Sequence, residues 1–303
     1  MKGKYNVVFA TDQNYIQHLS VALISLFENN ADLKFNIYVI CGGIDEENFK
    51  KLKLIGENYN ATITQINIKD DIFDKLVTNY HFKKSNYYRL LIPNFIDDDI
   101  VLYLDADIII ENSIKELLDT NLDNKYIVAI ENPGFKRHQE LKMNIDSSYF
   151  NSGVMLINNK KWKKDNITEK VIKFVDENQN VIQFVDQCGL NAIINGNWKK
   201  ISLKYNQQAL IFEKDFKEKY NCFSNKELQD AKKNPVIIHY TGSSKPWQYV
   251  NKHPYKYLYW KYLKMTPFNR YVPEDLTVLN VIKRMIPEIA KEYIKRFRVL
   301  KNR

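Results

Sequence analysis

Cysteine is scarce and unpatterned in this chain of 303 residues. Cys41, Cys188 and Cys222 are odd in number and lack Cys-x-x-Cys or zinc-ribbon spacing, which argues against a disulfide framework and a structural zinc site. A reducing, cytoplasmic setting is the expectation. No apolar run reaches the roughly 18 residues that a membrane-spanning helix requires. The amino-terminal apolar stretch, Val7 to Ala10, ends before Asp12 and is expected to form a first strand, being too short for a signal-peptide core. Internal repeats and Gly/Ser/Pro-rich linkers are missing, so residues 1–265 read as a single domain and residues 266–303 as a carboxyl-terminal appendage. A Walker A loop, His-Glu-x-x-His and Gly-x-Ser-x-Gly are absent as well. What is present is 45% apolar content, enough for a full core and poorly compatible with a disordered chain.

The formal charge is +9, and its distribution matters more than its size. Between Val278 and Arg303 eight basic residues face only Glu288 and Glu292, so six of the nine net positive charges sit in the tail. The body is close to ordinary and carries no recognisable aromatic and basic module, so a nucleic-acid partner is not expected. Within the tail Ile282, Met285, Ile286, Ile289, Tyr293, Phe297 and Leu300 recur at three- and four-residue steps beside a basic face, with Pro287 a start for a second helix. Such a helix can lie on an anionic membrane surface, or pack its stripe on the body. Both readings stay open.

The first hundred residues alternate strand-like and helix-like runs, the pattern of an α/β domain with a mostly parallel sheet flanked by helices. Strands are expected at Tyr5–Ala10, Phe35–Ile40, Thr62–Ile66 and Ile100–Leu104, and helices at His18–Phe27 and Glu46–Glu57 with Asp45 as N-cap. Further on, strands are expected at Ile127–Ile130, Tyr149–Asn151, Val154–Ile157 and Val236–His239, with helices at Ile167–Glu177, Gln187–Asn195 and Tyr255–Lys264. In open sheets of this kind ligands bind beyond the carboxyl ends of strands, which directs Asp12, Asp105 and Asp107 to one crevice.

Asp105 and Asp107 interrupt the otherwise apolar run Val101–Ile110. Carboxylates in such a setting must be paired, hydrogen-bonded or metal-bound, and in extended backbone a spacing of two places both on one face. They can hold Mg²⁺ or Mn²⁺, or they can be strand-end acids facing solvent. A second segment, Val236 to Trp247, ends a strand in His239 and continues through a small-residue loop to Lys245. An imidazole can complete a coordination sphere and favours Mn²⁺ over Mg²⁺, Gly242 allows backbone to approach a phosphate, and Lys245 offers charge.

Six ordered blocks then carry a resemblance: Val8-Phe9-Ala10-Thr11-Asp12-Gln13-Asn14-Tyr15, Tyr88-Arg89-Leu90, Leu102-Tyr103-Leu104-Asp105-Ala106-Asp107, Phe150 to Asn158, Asp186-Gln187, and His239 to Trp247. Together they resemble glycosyltransferase family 8, the bacterial lipopolysaccharide galactosyl- and glucosyltransferases related to glycogenin. The resemblance implies a single GT-A type nucleotide-diphospho-sugar transferase domain. It implies transfer of galactose or glucose from a UDP-sugar to a glycan or lipid-linked acceptor, with the α configuration retained, Mn²⁺ as cofactor (Mg²⁺ as substitute) and Asp105, Asp107 and His239 as its ligands. It places Ala10, Asp12 and Asn14 on the uridine, Asn86 and Arg89 on the donor, Ala106 beside the metal-binding acids, Asn151 and Gly153 against the sugar, and Gly242 and Lys245 on the diphosphate. Asp186 and Gln187 border the transferred hexose, Asp186 at its hydroxyls and Gln187 at the reacting face.

Plainer roles exist for several of these residues. Asp12 and Asn14 can cap a helix, Arg89 can form a surface ion pair, Asn-Ser-Gly can be a hairpin turn, and Asp186 can be an N-cap. The chain also departs from its relatives, with Glu131 where they more commonly show Asp and Cys188 where Asp-Gln-Asp is frequent. Both departures bear on the hexose or acceptor fit. Segment 132–148 can be an acceptor-side lid or a surface excursion. A nucleotidyltransferase, which also uses paired acids and a metal but releases pyrophosphate, is the alternative activity. A peripheral contact with the inner face of the cell membrane is the expectation attached to 278–303.

Overall fold

The computed structural model describes residues 4–76, 78 and 83–286. Its strands are β1 (Tyr5–Thr11), β2 (Phe35–Cys41), β3 (Thr62–Asn67), β4 (Ile100–Leu104), β5 (Ile108–Ile110), β6 (Ile127–Glu131), β7 (Phe150–Asn158), β8 (Lys199–Lys200), β9 (Gln207–Gln208) and β10 (Ile237–His239). Its α-helices are α1 (Ile16–Glu28), α2 (Glu46–Asn58), α3 (Ile92–Phe95), α4 (Lys115–Leu118), α5 (Asn159–Lys164), α6 (Ile167–Glu177), α7 (Val185–Ile194), α8 (Phe216–Lys219), α9 (Asn225–Lys233), α10 (Lys256–Leu263) and α11 (Val278–Met285). Among the described residues one seven-stranded sheet has the order β3-β2-β1-β4-β7-β6-β8, and a three-stranded sheet has the order β5-β10-β9.

In the large sheet β3, β2, β1 and β4 run parallel, whereas β7 lies antiparallel between β4 and β6. Helices cover both faces, so strand residues alternate between two cores and not between core and water. Val7 and Phe9 enter one core with Leu102 and Leu104, while Val8 enters the other with Val101 and Tyr103. Helix α1, with most of its residues buried, sits in the first core. Its end is tied by Asn29 Nδ2, which donates to Ile110 O and to the Tyr262 hydroxyl of α10. Five of the seven non-glycine residues with positive φ among those described are asparagine or aspartate, namely Asn60, Asp123, Asn124, Asn166 and Asn195, whose short polar side chains tolerate it.

The first hundred residues follow their expected elements closely, and Asp45 caps α2 by accepting the Asn48 N–H. The second half departs in places. The two strands expected around Asn151-Ser152-Gly153 are one continuous strand, β7, because pairing on both sides outweighs the local turn composition. The run Val101–Ile110 is broken, since Asp105 to Asp107 form a bend where the chain leaves the large sheet at β4 and enters the small one at β5. The two acids therefore meet through a bend and not through strand alternation. In the tail, α11 forms at Val278–Met285, and of its expected stripe Ile282 is 52% and Met285 78% exposed while Ile286 is half-buried. Residues 287–303, including the second helix expected from Pro287, lie outside the described residues. No helix among those described is long and apolar enough to cross a membrane.

Candidate active site

Topology assembles the site. Parallel pairing of β1 with β4 brings Asp12 and Asp105 to the same edge of the large sheet. The bend after Asp105 feeds β5, and antiparallel pairing sets His239 of β10 opposite Ile108, the residue that follows Asp107. The Tyr240 N–H donates to Asp107 O at 3.1 Å and locks that register. As a result His239 Nε2 lies 3.3 Å from Asp107 Oδ1 and 3.6 Å from Asp105 Oδ2. One ligand atom from each of Asp105, Asp107 and His239 falls within 4.8 Å of the others. Two carboxylates and an imidazole form a donor set suited to a divalent cation.

Gly153 makes this proximity possible. A Cβ there would stand 2.2 Å from His239 Cε1 and 2.6 Å from Asp105 Oδ2, and the Gly153 carbonyl accepts the Asp105 N–H at 2.8 Å. The glycine's missing side chain is thus space used by the cation-site residues. On the far side of the imidazole, Nδ1 is 3.0 Å from Asn206 Oδ1.

Electrostatics divide the site into two linked halves. Burial alone would raise Asp107, yet Lys245 and His239 outweigh it and hold the carboxyl well below its ordinary range. Lys245 Nζ donates to Asp107 Oδ2 and to Tyr240 O. Arg89 joins this half to the other. Its guanidinium is 3.1 Å from Asp105 Oδ1 through Nη1 and 3.1 Å from Asp186 Oδ2 through Nε, and Nη1 donates to Ser152 O at 2.8 Å. With the arginine only 3% exposed, this is a buried bridge and the surface ion pair can be set aside. Burial lifts the Asp186 carboxyl to about 6 against the pull of Arg89, with Asp105 adding to the rise. Asp186 sits inside the first turn of α7 and supplies no cap. The residue before it, Val185, has φ of +28°, a region costly for a β-branched side chain and typical of strain held near a site.

Gln187 is anchored at both ends of its amide: Oε1 accepts the Ser152 N–H at 3.0 Å, and Nε2 donates to the Tyr149 hydroxyl at 3.4 Å. Asn151 Oδ1 accepts from Gly153 N and Asn206 Nδ2. Asp12 caps the short 3-10 turn Gln13–Tyr15 by accepting the Asn14 N–H, and Lys83 lies 3.8 Å from its other oxygen. Asn86 accepts the Lys83 N–H, and Glu131, at the end of β6, pairs with Lys200 at 2.9 Å. Ala10 belongs to β1 and Ala106 is buried in the bend. Gly242 has φ of +84° and open space where a Cβ would stand. The geometry therefore gathers Asp105, Asp107, His239, Gly153 and Lys245 into one cluster and ties Arg89, Asp186, Asn151 and Gln187 to it. Asn86 and Glu131 are engaged by Lys83 and Lys200 instead.

The model of glycosyl transferase family 8 matches residues 6–251, which span these elements from β1 through the loop after β10. The chain belongs to glycosyl transferase family 8. General stress protein A of Bacillus subtilis (strain 168) is 33% identical to it over 273 residues, 87% of this chain and 94% of that protein. A lipopolysaccharide 1,2-glucosyltransferase of Escherichia coli is 30% identical over 251 residues, 80% of this chain and 73% of its own. The galactosyltransferase LgtC, solved in complex with donor and acceptor sugar analogues, is similar with a TM-score of 0.78 at 26% identity, covering 89% of this chain and 98% of that one. The mixed sheet flanked by helices is the GT-A fold of such family 8 transferases.

Sequence reading missed several residues of this family 8 site. Burial and then Asp107, Asp12 and Asp105 raise the Tyr15 hydroxyl, which places that ring among the acids. The Tyr103 hydroxyl donates to Asp105 Oδ1 at 2.7 Å while its ring faces the Arg89 guanidinium at 4.6 Å. Both tyrosines lie inside blocks that carried the resemblance, so proximity in sequence was their available signal. Ser152 was hidden in a tripeptide that looks like a turn. Asn206 gave no local signal. Cys188 is buried with Sγ 3.3 Å from the Tyr149 hydroxyl and 3.3 Å from Phe184 N, so this position belongs to the core behind Gln187.

Proposed function

We propose that this chain is a retaining hexosyltransferase that moves galactose or glucose from a UDP-sugar to a glycan or lipid-linked acceptor, with Mn²⁺, or Mg²⁺ in its place, held by Asp105, Asp107 and His239. The observation that carries the reading is the convergence of these three ligand atoms within 4.8 Å around a glycine whose absent side chain leaves the room. Bound there, a divalent cation neutralises the diphosphate and the charge that grows on it as the glycosidic bond breaks. Lys245 brings a second positive charge to the same carboxylate, and Gly242 offers bare backbone beside it. Asp12, Asn14 and Ala10 line the nucleoside end, while Asn151, Asp186 and Arg89 address the hexose.

Gln187 is a neutral amide whose oxygen already accepts a backbone N–H, which makes it a poor nucleophile for a double displacement. Attack of the acceptor hydroxyl on the face the phosphate leaves, with a phosphate oxygen taking the proton, fits better. A trapped glycosyl adduct on Gln187 overturns that step. The relative of Escherichia coli named a lipopolysaccharide 1,2-glucosyltransferase supports a lipid-linked glycan as the acceptor here. We assign catalysis to residues 1–265 and peripheral contact with anionic lipid, on the cytoplasmic side, to residues 266–303. In support, α11 carries the exposed apolar residues Val278, Ile282 and Met285, and its Arg284 lines a cleft of about 710 Å³ together with Lys252, Lys256, Lys264, Tyr257 and Trp260. Truncation before Val278 is expected to abolish binding to anionic liposomes and spare donor hydrolysis; unchanged liposome binding refutes the tail's role.

The activity is tested on metal-stripped protein given UDP-galactose or UDP-glucose. UDP release that appears only on adding Mn²⁺ is expected. Full turnover in excess chelator, or pyrophosphate release from nucleotides in place of UDP release, contradicts it.

A further inference from the structure

Asn206 ends the 3-10 helix Leu203–Asn206 and is wholly buried beside the cation site, although it offers that site no ligand atom. Its place in the hydrogen-bond network is fixed by a chain of three amide and imidazole groups. The chain starts at Asn151 Oδ1, which accepts the backbone N–H of Gly153 at 3.0 Å. A backbone N–H can only donate, so the Asn151 atom facing it is the oxygen. That same oxygen lies 2.9 Å from Asn206 Nδ2, which must then be the amide's donor end. Asn206 therefore presents its oxygen to His239 Nδ1, 3.0 Å away. An oxygen facing a ring nitrogen requires a proton on that nitrogen. Nε2 is left to face Asp107 Oδ1 at 3.3 Å and Asp105 Oδ2 at 3.6 Å.

We infer that Asn206, held by Asn151, is a positioning residue that keeps the His239 proton on Nδ1 and so reserves the Nε2 lone pair for the cation. The inference rests on the metal-site reading above and adds the device that orients its imidazole. The direction of the relay follows from the Gly153 peptide, a group that cannot change its donor character. Burial excludes water that could otherwise satisfy either ring nitrogen: His239 is 3% exposed and Asn206 0%. Were the proton on Nε2, the Asn206 oxygen would oppose a lone pair, and Asn206 could turn only by setting its oxygen against Asn151 Oδ1. A proton on Nδ1 is what all three contacts require. Groups that hold the second nitrogen of a metal-binding histidine commonly change metal affinity by about 10–100-fold when removed.

The tautomer is read directly by ¹⁵N-resolved NMR of the His239 ring in metal-free protein above neutral pH. A pyrrole-type, protonated Nδ1 is expected; a pyridine-type Nδ1 overturns the inference whether or not a cation ever binds. In Asn206→Leu the preference is expected to be lost and Mn²⁺ affinity, titrated with saturating UDP, to fall about 10–100-fold. Asn151→Asp keeps an oxygen facing both the Gly153 N–H and Asn206 Nδ2, so the Nδ1 proton should stay as in the native chain, a result that loss of packing would not give. Unchanged tautomer and affinity in Asn206→Leu, or loss of the Nδ1 proton in an Asn151→Asp variant that is folded by circular dichroism, overturn it. Failure of the native chain to bind Mn²⁺ with a correct tautomer would instead refute the metal reading alone.

Discussion

Gly153→Ala is the sharpest geometric perturbation of the site, because it adds one methyl group and removes no charge. The new Cβ would stand 2.2 Å from His239 Cε1 and 2.9 Å from its Nδ1, where ordinary contact begins near 3.4 Å, so either the imidazole or the strand must shift by about 1 Å. The imidazole cannot retreat freely, since Asn206 sits 3.0 Å behind it and the side chain is buried. β7 cannot retreat either, paired as it is on both edges. Overpacking of this kind typically costs about 1–3 kcal/mol of stability, which a large domain survives. A misplacement of about 1 Å in a reacting constellation can lower turnover on the order of 100-fold. The expected result is a folded protein with a modest fall in Tm, at least tenfold weaker Mn²⁺ binding and a loss in kcat/KM of roughly two orders of magnitude. Turnover within threefold of the native chain, at native metal affinity, would refute the claim that His239 and Asp105 meet over Gly153.

Other perturbations probe different contacts. Arg89→Met strands Asp186 and unpairs Asp105 in a buried setting, which should cost about 3–5 kcal/mol in denaturant unfolding. Adding Asp186→Asn removes one of the stranded anions and should recover part of that loss; a double variant no more stable than Arg89→Met speaks against the bridge. His18 stacks on Trp247 at 3.5 Å, and burial lowers its pKa to about 3, so it is neutral when folded and takes a proton near 6.5 when unfolded. The unfolded chain then binds more protons as pH falls, so this group's contribution is full above about 6.5 and is lost below it, by about 2 kcal/mol between pH 7 and pH 5. His18→Phe keeps the stack and should flatten that part of the stability profile, and an equally steep profile in the variant would exclude His18 as its source.

The fold was legible where local pattern and tertiary demand agree. β1 and β2 read as strands because both faces are buried, and α2 read as a helix because Asp45 and the apolar spacing act together. Legibility failed where pairing overrides composition: Asn151-Ser152-Gly153 looks like a turn yet lies within β7, and the extended backbone expected through Asp105 and Asp107 is a bend between two sheets, although the strand before it was placed at Ile100–Leu104. At the site, the acids and His239 stood out because charge in an apolar run and a strand-end imidazole need partners. Asn206 and Ser152 did not, since their roles exist only once β7 and the turn before β9 are folded together. Arg89 was named, but its burial between two aspartates could not be read from a one-dimensional pattern.

The central claim is that Asp105, Asp107 and His239 share one divalent cation. Electron paramagnetic resonance of Mn²⁺ titrated into chelator-stripped protein with saturating UDP measures this directly. One bound ion per chain is expected for the native protein, with binding lost in Asp105→Asn, Asp107→Asn and His239→Ala variants that keep native circular dichroism. One tightly bound ion persisting in all three variants would contradict the account.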